Sequence, residues 1–144
     1  MGSAETELAR RVWRAMSAVV LDHDRKLAVS DALGLSFARV RALRRLVDQP
    51  QTMSALAELL AADPPYITLI VDDLEQRGLV QRTSHPTDRR VRLVQLTAAG
   101  RDAAARAEEI LDEPPAELLD VPTEELAALL GVLERVGGQG QHPG

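Results

Sequence analysis

No cysteine occurs among the 144 residues, which removes disulfides, thiolate metal sites and thiol redox switches from consideration. A reducing, cytoplasmic setting is expected. Aromatics are also scarce, at 2%, so aliphatic side chains must fill any core. That composition suits packed helices better than a sandwich built on aromatic cross-strand pairs. Long apolar runs are missing: the stretch Leu126 to Leu133 falls far short of the ~20 residues of a membrane span. No short apolar segment follows a basic start as in a signal peptide, and no membrane association is expected. The three histidines lack metal-ligand spacing, and no Gly-rich phosphate loop, nucleophile elbow or His-Glu helical pair occurs. Neither cofactor, metal nor enzyme activity is expected.

What the chain does have is charge of uneven sign. The net charge is -5, yet residues 77–101 hold six basic groups and one acidic, whereas residues 63–76 hold four acidic and none basic. Exposed charges are screened over about 8 Å at physiological ionic strength, so an acidic tail several turns away does not cancel a local arginine cluster. The length supports one core, and one domain is expected.

Leu8, Val12, Met16, Val19, Val20 and Leu27 recur mostly at helical intervals and predict one long amphipathic helix over about 6–28. Gly34 breaks it. Ser36 then caps a helix turning Phe37, Val40, Leu43, Leu46 and Val47 inward, ending before Pro50. Thr52 opens a third helix, with Leu56, Leu59 and Leu60 inside. Asp63-Pro64-Pro65 opens a fourth, the aspartate accepting from first-turn amides; Ile67, Ile70, Val71 and Leu74 face inward and Gly78 ends it. Residues 79–83 and 91–96 read as a β-hairpin around a loop of about seven residues. Thr97 caps a fifth helix to about Asp112, and Pro114-Pro115 breaks the chain before a short turn at Ala116–Leu119. A last helix presents Leu126, Leu129, Leu130, Leu133 and Val136 on one stripe, and residues 138–144 are expected to fray.

A helix, short turn and second helix followed by a hairpin make a winged helix-turn-helix, whose second helix enters the major groove of DNA while the hairpin tracks the backbone. That gives the adjacent arginines of the loop, Arg89 and Arg90, a role. The stretch LAELLAADPPYITLIVDDLEQRGLVQRTSHPTDRRVRLVQLTAAGR resembles the core of the MarR family of winged helix-turn-helix transcription regulators. Its most specific part is Asp88-Arg89-Arg90 followed by Leu93, Leu96-Thr97 and Gly100. The resemblance implies a mainly α fold with a small β-hairpin wing: dimerisation helices at about 6–30 and 98–137, and a DNA-binding unit at about 36–97. It implies that Arg90 enters the minor groove, that Asp88 positions it, and that Arg89 contacts phosphate or shares the insertion. A planar, weakly hydrated guanidinium suits a narrow, strongly negative groove better than an ammonium does.

The second helix departs from the family pattern at Pro64, Leu69 and Asp73, where relatives carry arginine or another polar group. The remaining candidate readers are the hydroxyls of Tyr66 and Thr68, and Pro65 and Leu69 against thymine methyls. The wing is then expected to supply most of the electrostatic affinity, through Arg82, Arg89, Arg90 and Arg92.

The terminal helices carry apolar stripes wider than a three-helix core can cover. By resemblance they form a homodimer that binds a pseudo-palindromic operator, as a repressor released by a small aromatic or phenolic effector. Trp13, Met16, Val20 and Phe37 are the candidate effector cleft; ordinary core packing is the competing reading of those four. The competing reading of the whole chain is a winged-helix module that binds another protein through the same face, motivated by Leu69, the paired aspartates and the net acidity.

Overall fold

A computed structural model describes residues 2–138. The expected tail at 138–144 lies outside the described residues, Gly138 excepted. The elements run α1 (Ser3–Asp22), α2 (Lys26–Leu33), α3 (Phe37–Arg45), β1 (Gln51–Thr52), α4 (Met53–Leu59), α5 (Pro64–Gln76), β2 (Val80–Ser84), β3 (Arg92–Leu96), α6 (Ala98–Leu111), α7 (Ala116–Leu119) and α8 (Thr123–Gly137). The mainly α winged architecture matches the sequence expectation.

The first helix does not. The single helix expected over 6–28 is two, because the Asp24 carboxylate accepts from Lys26 N at 2.8 Å while the His23 ring bonds Val19 O at 3.0 Å. The Asp24 contact satisfies one of the first-turn amides that a helix start leaves without a partner. The break turns the helix face, so Leu27, expected on the apolar stripe, is exposed and Val29 is buried instead.

The caps at Ser36, Thr52 and Thr97 form as expected, each hydroxyl accepting a backbone N–H three residues on. Asp63 behaves differently. It occupies the cap position of α5 with extended backbone, but its side chain accepts nothing. Pro64 and Pro65 fill the first two positions and lack N–H groups, which removes one of the two amides that such a side chain usually takes. Two inward assignments also shift. α3 stops at Arg45 and leaves Val47 exposed, and in α4 Ala57 is buried while Leu59 is exposed.

Between α4 and α5 the chain bends by 108°, within the range of helix-turn-helix units; Ala61 takes a left-handed φ of 49° in the turn. Strands β2 and β3 pair antiparallel with Val80 opposite Leu96, Arg82 opposite Val94 and Ser84 opposite Arg92, one residue displaced from the expected start of each strand. A third strand, β1, was not anticipated; it pairs with β3 to give the order β1-β3-β2. Two residues carry no readable alternation.

The core is one cluster between Val29 and Ala107, dominated by Val40, Leu43, Leu56, Ile67, Ile70, Val71, Leu74, Val80 and Val94, with no polar or charged side chain buried in it. α1, α7 and α8 bury no residue. Among the described residues no single helix is long and apolar enough to cross a membrane; α4 and α5 pass only as a bent pair, and their apolar faces are core.

Candidate nucleic-acid interface

Helix α5 sits with Ile67, Ile70, Val71 and Leu74 in the core, which leaves its opposite face outward: Pro65, Tyr66, Thr68 and Leu69 are all exposed. The Thr68 hydroxyl donates to Pro64 O at 3.1 Å, one turn back along its own helix.

The carboxylates at the other end of α5 are all engaged. Asp73 accepts from Arg39 Nε at 2.6 Å and Arg77 Nε at 2.9 Å. Arg39 in turn donates through Nη1 to the Ser36 hydroxyl at 2.9 Å, and Arg77 donates to Gly34 O at 3.3 Å, so the start of α3 is tied to the end of α5. The hydrogen bonds from Arg39 and Arg77 hold the Asp73 carboxyl below the usual carboxylate value. Asp72 and Glu75 both meet Arg82, Glu75 at 2.8 Å from its guanidinium and again at 3.1 Å from its backbone N–H. Three of the four carboxylates that made residues 63–76 look acidic therefore have a guanidinium partner, Asp63 at the cap being the exception.

That pairing changes the place of Arg82. Opposite residues of an antiparallel pair share a face, and residues i and i+2 of a strand do too. Arg82 therefore shares the face of Val80, Val94 and Leu96, which is the buried one. Its stem lies over the core and its head reaches α5, so Arg82, expected at a phosphate, is here engaged with Asp72 and Glu75 and clasps the wing to the helix.

The hairpin tip is built from local hydrogen bonds. His85 N donates to Val91 O at 2.9 Å, Val91 N to Asp88 O at 3.1 Å, and Arg90 N to the Asp88 carboxylate at 3.0 Å. Asp88 thus fixes the Arg90 backbone rather than its guanidinium. Arg89, Arg90 and Arg92 are exposed, and among the described residues their guanidiniums meet no protein partner. Three unpaired cations stand beside a helix whose own charges are cancelled.

The root of the wing is held from behind. Thr97 Oγ1 donates to Gly78 O at 2.6 Å, and a Cβ added at Gly100 would lie 1.9 Å from Leu79 O. Only glycine allows α6 so close to that backbone. Gly78, at φ 74°, makes the left-handed turn from α5 into the strand.

On α1, Trp13, Met16 and Val20 line a shallow apolar groove with Ser17 and Leu21. Phe37 is not part of it: it packs against the core at the start of α3, with Lys26 Nζ 5.4 Å from its ring centroid. Sequence reasoning missed Arg39, 34 residues from Asp73, for which no local pattern exists. Arg77, at i+4 from Asp73, was legible as a helix ion pair. Arg82 was legible from strand parity.

Residues 35–91 match the family model described as the MarR family. The chain is 28% identical to CouR, a transcriptional repressor solved on a 23-mer DNA duplex, covering 95% of this chain and 96% of that one with a TM-score of 0.59. It is 25% identical to apo MarR from E. coli, covering 85% and 94%, with a TM-score of 0.65. The YusO protein of Bacillus subtilis, 21% identical over 97% of this chain and all of the other, superposes with a TM-score of 0.71 and shows the shared fold.

Proposed function

We propose that the chain is a transcription regulator of the MarR family rather than an enzyme, a reading supported by the match over residues 35–91 and by the likeness to MarR and CouR, and that it binds a pseudo-palindromic DNA operator as a homodimer and represses transcription from it. The observation that carries this reading is the tip of the wing: Arg89, Arg90 and Arg92 are exposed and unpaired, on a ribbon clasped to α5 through Arg82. Arg90 enters the minor groove, Arg89 and Arg92 neutralise phosphate, and α5 lies in the major groove. The cancellation of Asp72, Asp73 and Glu75 by arginines favours this over a face that binds protein, since the paired aspartates behind that alternative are engaged within the chain.

The dimer is supported by α1 and α8, whose apolar stripes find no cover in the protomer: Leu8, Val12, Trp13, Leu130, Leu133 and Val136 are all exposed. A two-fold pairing of these helices sets two copies of α5 about one DNA turn apart. The dimerisation helices then span about 6–30 and 98–137. A small aromatic or phenolic effector enters beside Trp13, Met16 and Val20 and releases the DNA.

Fluorescence anisotropy with the duplex flanking the chain's own gene, at several salt concentrations, tests the reading. Three arginines per subunit, two on phosphate and Arg90 in the strongly negative minor groove, neutralise about six charges per dimer and give a slope of log K against log salt near -5. Arg90→Ala is expected to weaken binding at least tenfold. A slope shallower than about -3, or equal weak binding by Arg90→Ala and the parent, would remove the wing-based account.

A further inference from the structure

A helix proposed to lie in a major groove normally brings donors for base edges, and α5 brings almost none. From Pro64 to Gln76 there is no arginine, lysine or asparagine, so the bidentate readers of guanine O6 and N7 are missing, and Gln76 is the one amide left for adenine. Gln76 is the last residue of α5, at the opposite end from the turns that helix-turn-helix proteins present to bases. Carboxylates that would accept from cytosine N4 are taken: Asp72 and Glu75 by Arg82, Asp73 by Arg39 and Arg77. The Thr68 hydroxyl proton is committed to Pro64 O.

What the first two turns do offer is apolar surface. Leu69 is 58% exposed and Tyr66 45%, with Pro65 exposed beside them. Asp72 lies three residues beyond Leu69, on the neighbouring position of the same helix face, and is the residue clasped by the strand that leads into the wing. Leu69 therefore lies on the flank of α5 turned toward β2, the strand that leads into the wing. On that side a duplex offers one apolar group among its major-groove base edges, the C5-methyl of thymine.

Resting on the DNA-binding reading, we infer that α5 reads its half-site through thymine 5-methyl groups, with Leu69 as the specificity-determining residue and Pro65 closing the contact. The unpaired Tyr66 hydroxyl anchors the helix on phosphate, which sets register and leaves base choice to the apolar pair. Operators of this protein are then discriminated by the placement of methyl groups rather than by guanine.

The test begins with selection of a duplex from a random 30-bp pool by the full-length protein. The selected duplex is then synthesised with thymidine, and again with deoxyuridine in place of thymidine at one position at a time, which deletes the methyl group and keeps every hydrogen bond. Deoxyuridine at the position under Leu69 is expected to weaken binding about fourfold, the effect of one buried methyl, and on the order of tenfold when both half-sites are changed. Leu69→Ala loses a similar factor on the thymidine duplex and discriminates no further between the two. Arg90→Ala weakens both and leaves their ratio intact. Equal affinity for thymidine and deoxyuridine duplexes, with binding itself intact, overturns the inference alone, as does a Leu69→Ala protein that keeps the full preference. Failure to bind any duplex at low salt overturns the regulator reading beneath it. Leu69 is outside the core, so circular dichroism of Leu69→Ala is expected to match the parent.

Discussion

Helices α5 and α8 carry apolar stripes of the same period, and the chain treats them in opposite ways. Ile67, Ile70, Val71 and Leu74 of α5 vanish into the core, whereas Leu129, Leu130, Leu133 and Val136 of α8 remain exposed. Each large apolar side chain left in water forgoes about 1.5–3 kcal/mol, so a stripe of four is a strong drive toward association. Periodicity reports that a face will be buried; it does not report by which chain. The winged unit solves its burial internally, and the terminal helices leave theirs open in the protomer, the surface that the proposed homodimer would cover.

The sharpest way to break this contrast is a pair of truncations. Leu74→Ala should destabilise the fold by about 2–5 kcal/mol, lowering the urea midpoint by the same amount at every protein concentration. Leu130→Ala should act only through association, so its effect must grow or shrink with dilution. A concentration-independent loss at Leu130 of the same size would put α8 in the protomer core and end the comparison.

Glycines offer the next largest separation. Gly100→Ala forces a methyl onto Leu79 O and should cost roughly 1–3 kcal/mol or more in thermal or urea unfolding. Gly131→Ala in α8, where an added Cβ meets nothing nearer than an Arg135 nitrogen at 3.7 Å, should instead stabilise the protomer by about 0.5–1 kcal/mol through helix propensity.

Arg82→Ala sharpens the division between clasp and contact. Releasing Asp72 and Glu75 should weaken DNA binding a few-fold while the salt slope stays the same. Loss of about 1.8 units of slope magnitude, two phosphate contacts per dimer, would instead place Arg82 on the DNA.

The smallest effect concerns acid. Asp73 has a folded-state pKa below its ordinary value, so its pairing stabilises the fold at pH above the ordinary carboxylate range. That contribution is lost as pH falls through the lowered value. Asp73→Asn should lower stability at neutral pH, where the pair is made, and converge with the parent as pH falls through the lowered value, which flattens the acid limb. Parallel acid limbs in variant and parent would exclude Asp73 as the titrating group.

Much of the winged unit was legible because its signals are local. Ser36, Thr52 and Thr97 announce helix starts, Gly34 and Gly78 mark left-handed ends, and four residues of α5 at helical spacing identify its buried face. The break at His23–Arg25 was not, since the apolar spacing runs straight through it and only the Asp24 side chain stops the helix. Nor was β1, too short for any alternation. At the candidate site, the unpaired arginines of the tip follow from sequence, but the neutrality of α5 does not. Arg39 and Asp73 meet only after folding. The pairing of Arg82 with α5 could have been anticipated by parity with Val80, whose burial alternation it continues.

Gly100 has one more consequence. With no side chain between α6 and the carbonyl of Leu79, and with Thr97 tethered to Gly78 O, helix and ribbon meet at a joint without play. A displacement of α6 toward the ribbon has no cushion of methylenes to absorb it before it meets the Leu79 carbonyl. The root of the arginine-tipped ribbon is thereby seated on α6 at a point where a single hydrogen atom takes the place of a methyl.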